Sequence, residues 1–300
     1  MSQGWLVNDH LTCISNTKTL WHDLSENIDG LECRMIAPFS RTADIIETEA
    51  SINHPDYVIR NATWFRKMNL PCKTISLMQD VVQGDMREQQ KIVCENSDLV
   101  VFNSWYLRDK ALAYMNPKKH TVIPVGTDFD LFKPTEEEKE YDIIFVGAAN
   151  INPKGFDLVE ELIHNTEYKF CLVMKDGYSC DNSRVTVHNR IDQEALSVLY
   201  NKSQVAICTS TEETLHLAGI EACACGIPVV ATDVGIYNRI KEMKHWGMVS
   251  TRDNFIRSIE LIIHNENFYR ADSPRSVMEK MKLDKESCIK SWGNAIASVL

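Results

Sequence analysis

Short apolar runs alternate with amphipathic stretches along the chain, and this alternation predicts parallel sheets with helical crossovers. In the first half, apolar runs predict strands at Trp5–Val7, Cys33–Ile36, Tyr57–Ile59, Thr74–Met78, Leu99–Phe102 and Thr121–Pro124. Helical periodicity in the same half covers Thr17–Ile28 and Met86–Cys94. The first half is therefore expected to form one α/β domain.

The second half repeats the alternation. Its apolar runs predict strands at Ile143–Val146, Lys169–Val173, Val185–Val187, Val205–Cys208 and Pro228–Ala231. Its amphipathic stretches predict helices at Phe156–Ile163, Gln193–Tyr200, Leu217–Cys225 and Asn254–His264. The tail Ser276–Leu300 fits either one long helix or two short ones.

The segment PVGTDFDLFKPTEEEKEYD separates the halves near residues 125–141, with two prolines, a run of charges and no apolar periodicity. These features are typical of a linker. We predict a first domain over 1–130, a second over 131–275, and a C-terminal helix over 276–300 that packs back on the first. Ligands of such sheets bind beyond the carboxyl ends of the strands, so the cleft between the domains is the expected site.

Composition and charge narrow the function classes. The 300 residues are 44% hydrophobic and carry a formal net charge of −10, which suits a globular protein that nucleic acid and anionic lipid would repel. No run approaches the ~18 apolar residues of a membrane helix. The start lacks a basic, apolar leader, so a cytoplasmic location is expected.

The ten cysteines contain no C-x-x-C pair, and several lie in apolar runs. This pattern favours reduced core thiols over a metal cluster or a disulfide framework. Asp128 and Asp130 spell a D-x-D metal motif, but their place in the linker favours a turn. No metal site is predicted.

The most informative stretch is CTSTEETLHLAGIEACACGIPVVATDVG, which predicts a strand, a loop, a helix ended by Gly226, and a second strand. Glu213 is expected at the helix entrance, where free N–H groups favour an anion. Glu221 lies two turns further in an apolar run, where ribose hydroxyls would satisfy its carboxylate. Two alternatives stay open: residues 210–213 form a capping box, or Glu221 faces solvent.

This stretch resembles the signature of the retaining glycosyltransferases of family 4, in which two Glu residues separated by seven others precede a turn into PVVAT. Three further segments resemble the family in the same order, namely IPVGTDFDLFKP, YDIIFVGAANINPKGFD and NRIDQEALSVLYNKSQVAICTS. The resemblance is strong over about residues 98–240. It implies the GT-B fold, two Rossmann-like αβα domains facing a cleft.

The resemblance also implies roles for individual residues in binding a nucleoside-diphosphate sugar. Lys154 would neutralise the leaving diphosphate, Glu213 would contact the transferred sugar, and Glu221 would accept hydrogen bonds from the ribose. The further donor-site residues that it implies are Gly147, the backbone of Thr214, Leu215 and His216, and the backbone around Arg190 and Ile191, which would flank the base. No metal or other cofactor is implied.

Three departures from the family pattern bear on turnover. Ala148 stands where an arginine usually helps to clamp the diphosphate, and Gln79 stands where the first domain usually has a catalytic histidine. Asn16 lies in the segment that replaces a glycine-rich donor loop. Losing the arginine would raise the barrier by roughly 2–4 kcal/mol, with Lys18 and His216 as candidates to compensate.

The predicted function is thus a retaining, metal-independent transfer of a sugar from a nucleoside-diphosphate sugar to an unidentified acceptor, a glycan, a lipid-linked molecule or a small molecule. One alternative is a nucleotide-sugar-binding protein of the same fold with weak or no turnover. The other is a nucleotide-sugar epimerase on that fold. The base, the sugar and the acceptor are not fixed by the sequence.

Overall fold

The computed structural model describes residues 2–8, 16–35, 42–62, 68–151, 153–240, 247–264 and 273–300. The chain divides into two compact units. The first comprises Met1–Gly126 with Glu286–Leu300, and the second comprises Thr127–Lys285. Within the described ranges, no helix is long and apolar enough to cross a membrane.

The first unit is built on a six-stranded parallel sheet. Its strands are β1 (Gly4–Asn8), β2 (Leu31–Met35), β3 (Tyr57–Asn61), β4 (Lys73–Met78), β5 (Leu99–Phe102) and β6 (His120–Val122). They lie in the order β2-β1-β3-β4-β5-β6. The helices between them are α1 (Asn16–Asn27), α2 (Thr42–Asn53), α3 (Asp85–Glu95) and α4 (Trp105–Leu112).

The second unit has another six-stranded parallel sheet, in the order β12-β11-β10-β7-β8-β9. Its strands are β7 (Tyr141–Gly147), β8 (Phe170–Met174), β9 (Val185–Asn189), β10 (Ser203–Cys208), β11 (Val229–Ala231) and β12 (Gly247–Val249). Its helices are α5 (Phe156–Asn165), α6 (Gln193–Asn201), α7 (Leu217–Ala224), α8 (Tyr237–Ile240), α9 (Phe255–Ile263) and α10 (Pro274–Lys280). The last helix, α11 (Lys285–Ala297), belongs to the first unit from Glu286 onward.

Burial on both faces explains why these strands read as continuous apolar runs. Every residue of β8 is buried, as is every residue of β5. On α9, Phe255, Ile259 and Ile262 form a buried stripe that joins the core of the second unit. The helices therefore cover the sheet and leave its carboxyl edge to carry loops.

The strand order of the second sheet reverses direction between β7 and β10. From β7 the chain proceeds outward through β8 and β9, and then returns to the other side of β7 as β10. In open parallel sheets, such a switch point opens a crevice beyond the carboxyl ends of the two strands, where ligands bind. The loops after β7 and β10 therefore lie where a site is expected.

The predicted fold class is confirmed by the two parallel sheets with helical crossovers. The tail forms two helices, α10 and α11, rather than one long helix. The sequence analysis assigned no bounds to the helices α2, α4 and α8 or to the three-residue strand β12, and the predicted strand end at Ile36 lies outside the described residues.

The segment between β6 and β7 packs onto the second unit. Asp128 Oδ1 accepts hydrogen bonds from the backbone N–H groups of Asp130 and Leu131, each at 3.0 Å, which confirms the turn. Phe132 is buried, and Arg275 Nη1 donates to its carbonyl oxygen at 3.0 Å. The segment is therefore an ordered part of this unit.

The cysteines of the described part of the chain are free thiols. Cys94, Cys171, Cys208, Cys223, Cys225 and Cys288 are buried, whereas Cys72 and Cys180 are half-buried. The expectation of core thiols is confirmed for the buried six.

Candidate functional site

Lys154 and Glu213 meet at the switch point of the second sheet. Lys154 lies in the loop between β7 and α5, and Glu213 lies in the loop between β10 and α7. Lys154 Nζ donates a hydrogen bond to Glu213 Oε1 and forms an ion pair with it. Their side chains are 32% and 13% exposed, so both remain within reach of a ligand.

Backbone contacts lock the two loops together. Thr209 Oγ1 donates to the Lys154 carbonyl oxygen at 2.9 Å, and Thr211 N–H donates to the Pro153 carbonyl oxygen at 2.8 Å. Gly155 has a φ of +64°, and a Cβ at this position would lie 2.0 Å from the carbonyl oxygen of Thr209. Only glycine fits this approach, which fixes the position of the preceding Lys154.

The surroundings of Glu213 favour its ionised form. Burial raises the pKa of this carboxyl, but the neighbouring His216 and Lys154 and the Ser210 hydroxyl together bring the pKa below its usual value. Ser210 Oγ donates to Glu213 Oε1 at 3.1 Å. Glu213 is thus a carboxylate at neutral pH and can accept hydrogen bonds from a ligand hydroxyl.

The helix α7 begins at Leu217, as predicted, but Glu213 does not lie at its entrance. Leu217 is its first residue and His216 is its N-cap, so Glu213 lies in the preceding loop. The Ser210 hydroxyl bonds the Glu213 side chain rather than a helix N–H, which makes the capping-box alternative wrong. The loop residues Thr214 and Leu215 lead directly into the helix N-terminus.

His216 is held in an unusual conformation at this point. Its φ is +68°, in the left-handed region, and its Nδ1 shares a hydrogen bond with the Tyr237 hydroxyl. Burial, with a smaller contribution from Lys154, lowers the pKa of His216 to about 4, against the opposing effect of Glu213. The imidazole is therefore neutral at physiological pH.

Glu221 lies within α7 and is half-buried. Tyr200 Oη donates to Glu221 Oε2 at 3.2 Å, and the Tyr200 side chain is fully buried. Burial raises the pKa of Glu221 to about 7, although the Tyr200 hydrogen bond acts in the opposite direction. A carboxyl with this pKa is poised to gain hydrogen-bond donors from a ligand.

The strand end that precedes Lys154 carries Gly147 and Ala148. Gly147 ends β7, and Ala148 is buried with 2% exposure. The loop beyond is held by Asp176, whose Oδ2 accepts a hydrogen bond from Asn150 N–H at 2.7 Å. Because Ala148 carries no charge, the positive charge in the sequence of this loop comes from the Lys154 ammonium.

Arg190 and Ile191 directly follow β9, at the same edge of the sheet. Arg190 adopts a left-handed φ of +54°, and its Nε donates to the Lys175 carbonyl oxygen at 3.2 Å. The Arg190 side chain is exposed and Ile191 is half-buried. They belong to the same carboxyl edge as Lys154 and Glu213, without a described contact to either.

Two of the predicted site residues, Gln79 and Asn16, lie in the first unit. Gln79 follows β4 and is buried; its Oε1 accepts a hydrogen bond from Asn61 Nδ2 at 3.2 Å, and its carbonyl oxygen accepts one from Asn103 Nδ2 at 3.3 Å. Asn16 is the first residue of α1, but its side chain lies outside the described part, as does that of Lys18.

Sequence reasoning missed the residues that hold the site side chains in place. Tyr200 contacts Glu221 from α6, and Tyr237 contacts His216 from α8. No motif spacing connects these tyrosines to α7, because they reach it through tertiary packing. Among the residues that the structure describes, no group of three or more His, Cys, Asp or Glu side chains is arranged to hold a metal ion.

A family model described as glycosyl transferases group 1 matches residues 126–276, half of the chain. A curated relative from Mycolicibacterium hassiacum, an MMP alpha-(1->4)-mannosyltransferase, is 24% identical over 209 residues, which is 62% of this chain and 48% of the relative. A probable sucrose-phosphate synthase from Thermosipho melanesiensis is 28% identical over 202 residues, 58% of this chain and 46% of the relative. The chain thus spans about half of the length of these curated relatives.

A solved structure covers nearly the whole chain. The structure of Anabaena HepE in complex with UDP-glucose aligns with a TM-score of 0.80 at 12% identity, over 99% of this chain and 100% of that one. At this identity, the likeness shows the shared fold.

Proposed function

The chain belongs to the family of glycosyl transferases group 1, and on this premise we propose that it transfers a sugar from a nucleoside-diphosphate sugar to an acceptor with retention of anomeric configuration. The acceptor attacks from the face that the diphosphate leaves. The transfer needs no metal, because Lys154 and the N-terminus of α7 supply the positive charge.

The contact between Lys154 and Glu213 at the switch point carries this proposal. Lys154 binds the leaving diphosphate, and the backbone N–H groups of Thr214, Leu215 and His216 support it at the start of α7. Glu213 accepts a hydrogen bond from a hydroxyl of the transferred sugar. The site therefore offers a cation for the leaving group beside an anion for the sugar.

The nucleoside binds along the same edge of the sheet. Glu221 accepts hydrogen bonds from both ribose hydroxyls, which would satisfy a half-buried carboxyl that, among the described residues, is hydrogen-bonded by Tyr200 alone. Backbone at Gly147, Arg190 and Ile191 flanks the phosphates and the base. HepE is in complex with UDP-glucose in its solved structure, so UDP-glucose is the first donor to test here.

A binding protein with weak turnover is the second candidate, and two observations favour it. Ala148 is buried and carries no charge to the diphosphate, and Gln79 is an amide that cannot act as a general base or acid as histidine does. An epimerase on this fold is the third, and it would return a changed sugar instead of a free nucleoside diphosphate.

A thermal-shift series with UDP, GDP, ADP and their sugars tests donor binding. A ligand that binds only the folded state stabilises it, by about 2.7 kcal/mol at a hundredfold excess over its Kd. Glu221→Ala should abolish the shift without unfolding the chain, whereas the exposed Glu138→Ala should leave it unchanged. An unchanged shift in Glu221→Ala would refute the site.

Turnover is tested with the donor identified in that series and a range of glycan, lipid-linked and small-molecule acceptors. We expect release of nucleoside diphosphate that persists in excess EDTA. Tight donor binding without any release would favour the binding protein, and loss of release in EDTA would refute the metal-independent mechanism. The predicted cytoplasmic location stays a prediction.

A further inference from the structure

The His216 side chain is built into the site by the structure around it. A non-glycine residue in the left-handed region costs about 1–2 kcal/mol, and such strain persists only where neighbouring contacts impose it. His216 has this conformation at φ +68°, between the Glu213 loop and the first turn of α7. The contacts around the ring explain how the conformation is held.

Two glycines make room for the His216 ring and its partner Tyr237. A Cβ on Gly219 would lie 1.9 Å from Tyr237 Oη and 2.7 Å from His216 Nδ1, so any larger residue would expel the pair. Gly235, at φ +55°, lets the next loop approach, and Ile236 N–H donates to the Leu215 carbonyl oxygen at 3.3 Å. These contacts place the buried Tyr237 hydroxyl against the His216 imidazole.

The hydrogen bond with Tyr237 fixes the direction of the other ring nitrogen. Burial raises the pKa of Tyr237 well above its usual value and lowers that of His216, so the phenol keeps its proton and the ring is neutral. When the phenol donates to Nδ1, the ring proton lies on Nε2. Within the described part of the chain, Nε2 makes no hydrogen bond.

We propose that Nε2–H of His216 donates a hydrogen bond to an oxygen of the donor diphosphate, and that Tyr237 is the positioning residue that aims it. This inference rests on the proposed function, because it assumes that Lys154 and the start of α7 bind the diphosphate. His216 lies close enough to Glu213 and Lys154 for their charges to act on its ring. A phosphate oxygen bound at Lys154 would therefore lie in the surroundings of this ring.

The neutral imidazole supplies a directed donor rather than the positive charge of an arginine. A hydrogen bond to a charged oxygen in a half-buried site strengthens binding by about ten- to a hundredfold. His216 and Lys154 then bind the diphosphate together: the lysine neutralises its charge, and the imidazole orients one of its oxygens. Ala148, at the end of β7, is therefore tolerated.

Four variants of the full chain test the proposal. His216→Gly removes the donor and relieves the left-handed strain. His216→Asn keeps a side-chain N–H in a residue that tolerates this conformation. Tyr237→Phe removes the positioning hydroxyl, and Tyr168→Phe, at the opposite edge of the sheet, is the matched control.

The measurements are the Kd of UDP, GDP or ADP by calorimetry, the Kd of the corresponding nucleoside by ligand-observed NMR, and the midpoint of thermal unfolding. We expect His216→Gly to raise the Kd of the nucleoside diphosphate at least tenfold, with an unchanged Kd for the nucleoside and an unfolding midpoint no lower than that of the wild type. His216→Asn should recover part of the lost affinity for the nucleoside diphosphate. Tyr237→Phe should lose less affinity than His216→Gly, and Tyr168→Phe should lose none.

The outcomes distinguish a failure of this inference from a failure of the proposed function on which it rests. If the wild type binds none of the nucleoside diphosphates, the proposed function fails. If the wild type binds one of them and His216→Gly binds it equally well, the function stands and the role of His216 is refuted. Equal loss of nucleoside and diphosphate affinity with a lower unfolding midpoint would show a merely structural role, and would also refute it.

Discussion

Glu213 and Glu221 lie eight positions apart, but their surroundings move their pKa values in opposite directions. Glu213 has Lys154 and Ser210 as hydrogen-bond donors, and its pKa falls. The Glu221 carboxyl is hydrogen-bonded by the Tyr200 hydroxyl alone among the described residues, and burial raises its pKa to about 7. One carboxyl is thus charged before a ligand arrives, and we expect the other to gain its charge most readily with ribose bound.

The raised pKa of Glu221 predicts a pH-dependent stability. The folded state holds this proton more tightly than the unfolded chain, whose pKa is near 4.5, so the stabilising contribution is complete below about pH 4.5 and is lost as pH rises through 7. Glu221→Gln removes this contribution to stability. Relative to the variant, the wild type should lose up to about 3 kcal/mol of unfolding free energy between these limits.

Urea unfolding of the two proteins from about pH 4.5 to pH 8 measures that difference. Titration of Glu213 and His216 occurs in both proteins and cancels in the comparison. A constant difference across the range would contradict the raised pKa.

Lys154 is expected to contribute mostly to the transition state, because charge develops on the diphosphate as the sugar leaves. Lys154→Met should lower kcat/KM by about 10²–10³-fold, as removal of one electrostatic donor does in other enzymes. Lys169→Met, at the amino end of β8, is the matched control. Steady-state kinetics checks both, and equal activity of the two variants would remove Lys154 from the mechanism.

Single residues also show where sequence reasoning reached its limit. Lys154, Glu213 and Glu221 were identified from a motif, and the contact of the first two follows from the adjacency of β7 and β10. Tyr200 and Tyr237 were missed, because α6 and α8 bring them to α7 across sequence separations of 21 residues. The left-handed conformation of His216 was equally hidden, since histidine gives no signal for it.

At the scale of elements, the close packing of the loops after β7 and β10 predicts a large effect of one methyl group. Gly155→Ala places a Cβ 2.0 Å from the Thr209 carbonyl oxygen, whereas Gly177→Ala, at a similar φ of +77°, meets nothing within 4 Å. Both variants bear the left-handed strain. Only Gly155→Ala should lose a further ~1–3 kcal/mol through overpacking, together with donor affinity, as unfolding and calorimetry would show. Equal stability of the two would contradict the fixed loop geometry.

A second element-scale prediction concerns the start of α10. Arg275 Nη1 donates to the carbonyl oxygens of Phe129, Phe132 and Ala224, at 3.2, 3.0 and 3.0 Å, and so joins the segment after β6 to the end of α7. Arg275→Met leaves these carbonyls without their charged donor and should cost about 2–4 kcal/mol in unfolding free energy. Glu279→Ala, which removes only the exposed ion pair, should cost less than about 0.5 kcal/mol.

The elements themselves were largely predictable, for a physical reason that also explains the omissions. Buried parallel strands such as β8 must be apolar throughout, and therefore stand out as runs. The strand β12 has only three residues, too few for any period, and α2 mixes threonine, acidic and apolar residues without a clean stripe. The predicted start of α7 at Leu217 is confirmed, but Glu213, which is expected at the helix entrance, lies in the loop before the helix.

At the scale of the whole molecule, the predicted nucleoside diphosphate contacts lie mostly in the unit formed by Thr127–Lys285. Hydrogen exchange of the full chain with saturating UDP should therefore slow mainly at residues 147–155 and 209–221. Exchange in α3 and α4, of the other unit, should remain unchanged. Slowing of exchange confined to the first unit would contradict the predicted nucleotide site in the second unit.

The ion pair of Lys154 with Glu213 has one further consequence, for the selection of anions. In the unliganded protein the ammonium already has a counter-ion, so chloride, sulfate or inorganic phosphate must displace a tethered carboxylate to bind there. In the proposed function, a sugar nucleotide instead offers both groups a new partner at once, its diphosphate to the lysine and a sugar hydroxyl to the glutamate. We therefore expect the site to discriminate against the abundant small anions of its solution and to bind a molecule that satisfies the two charges together.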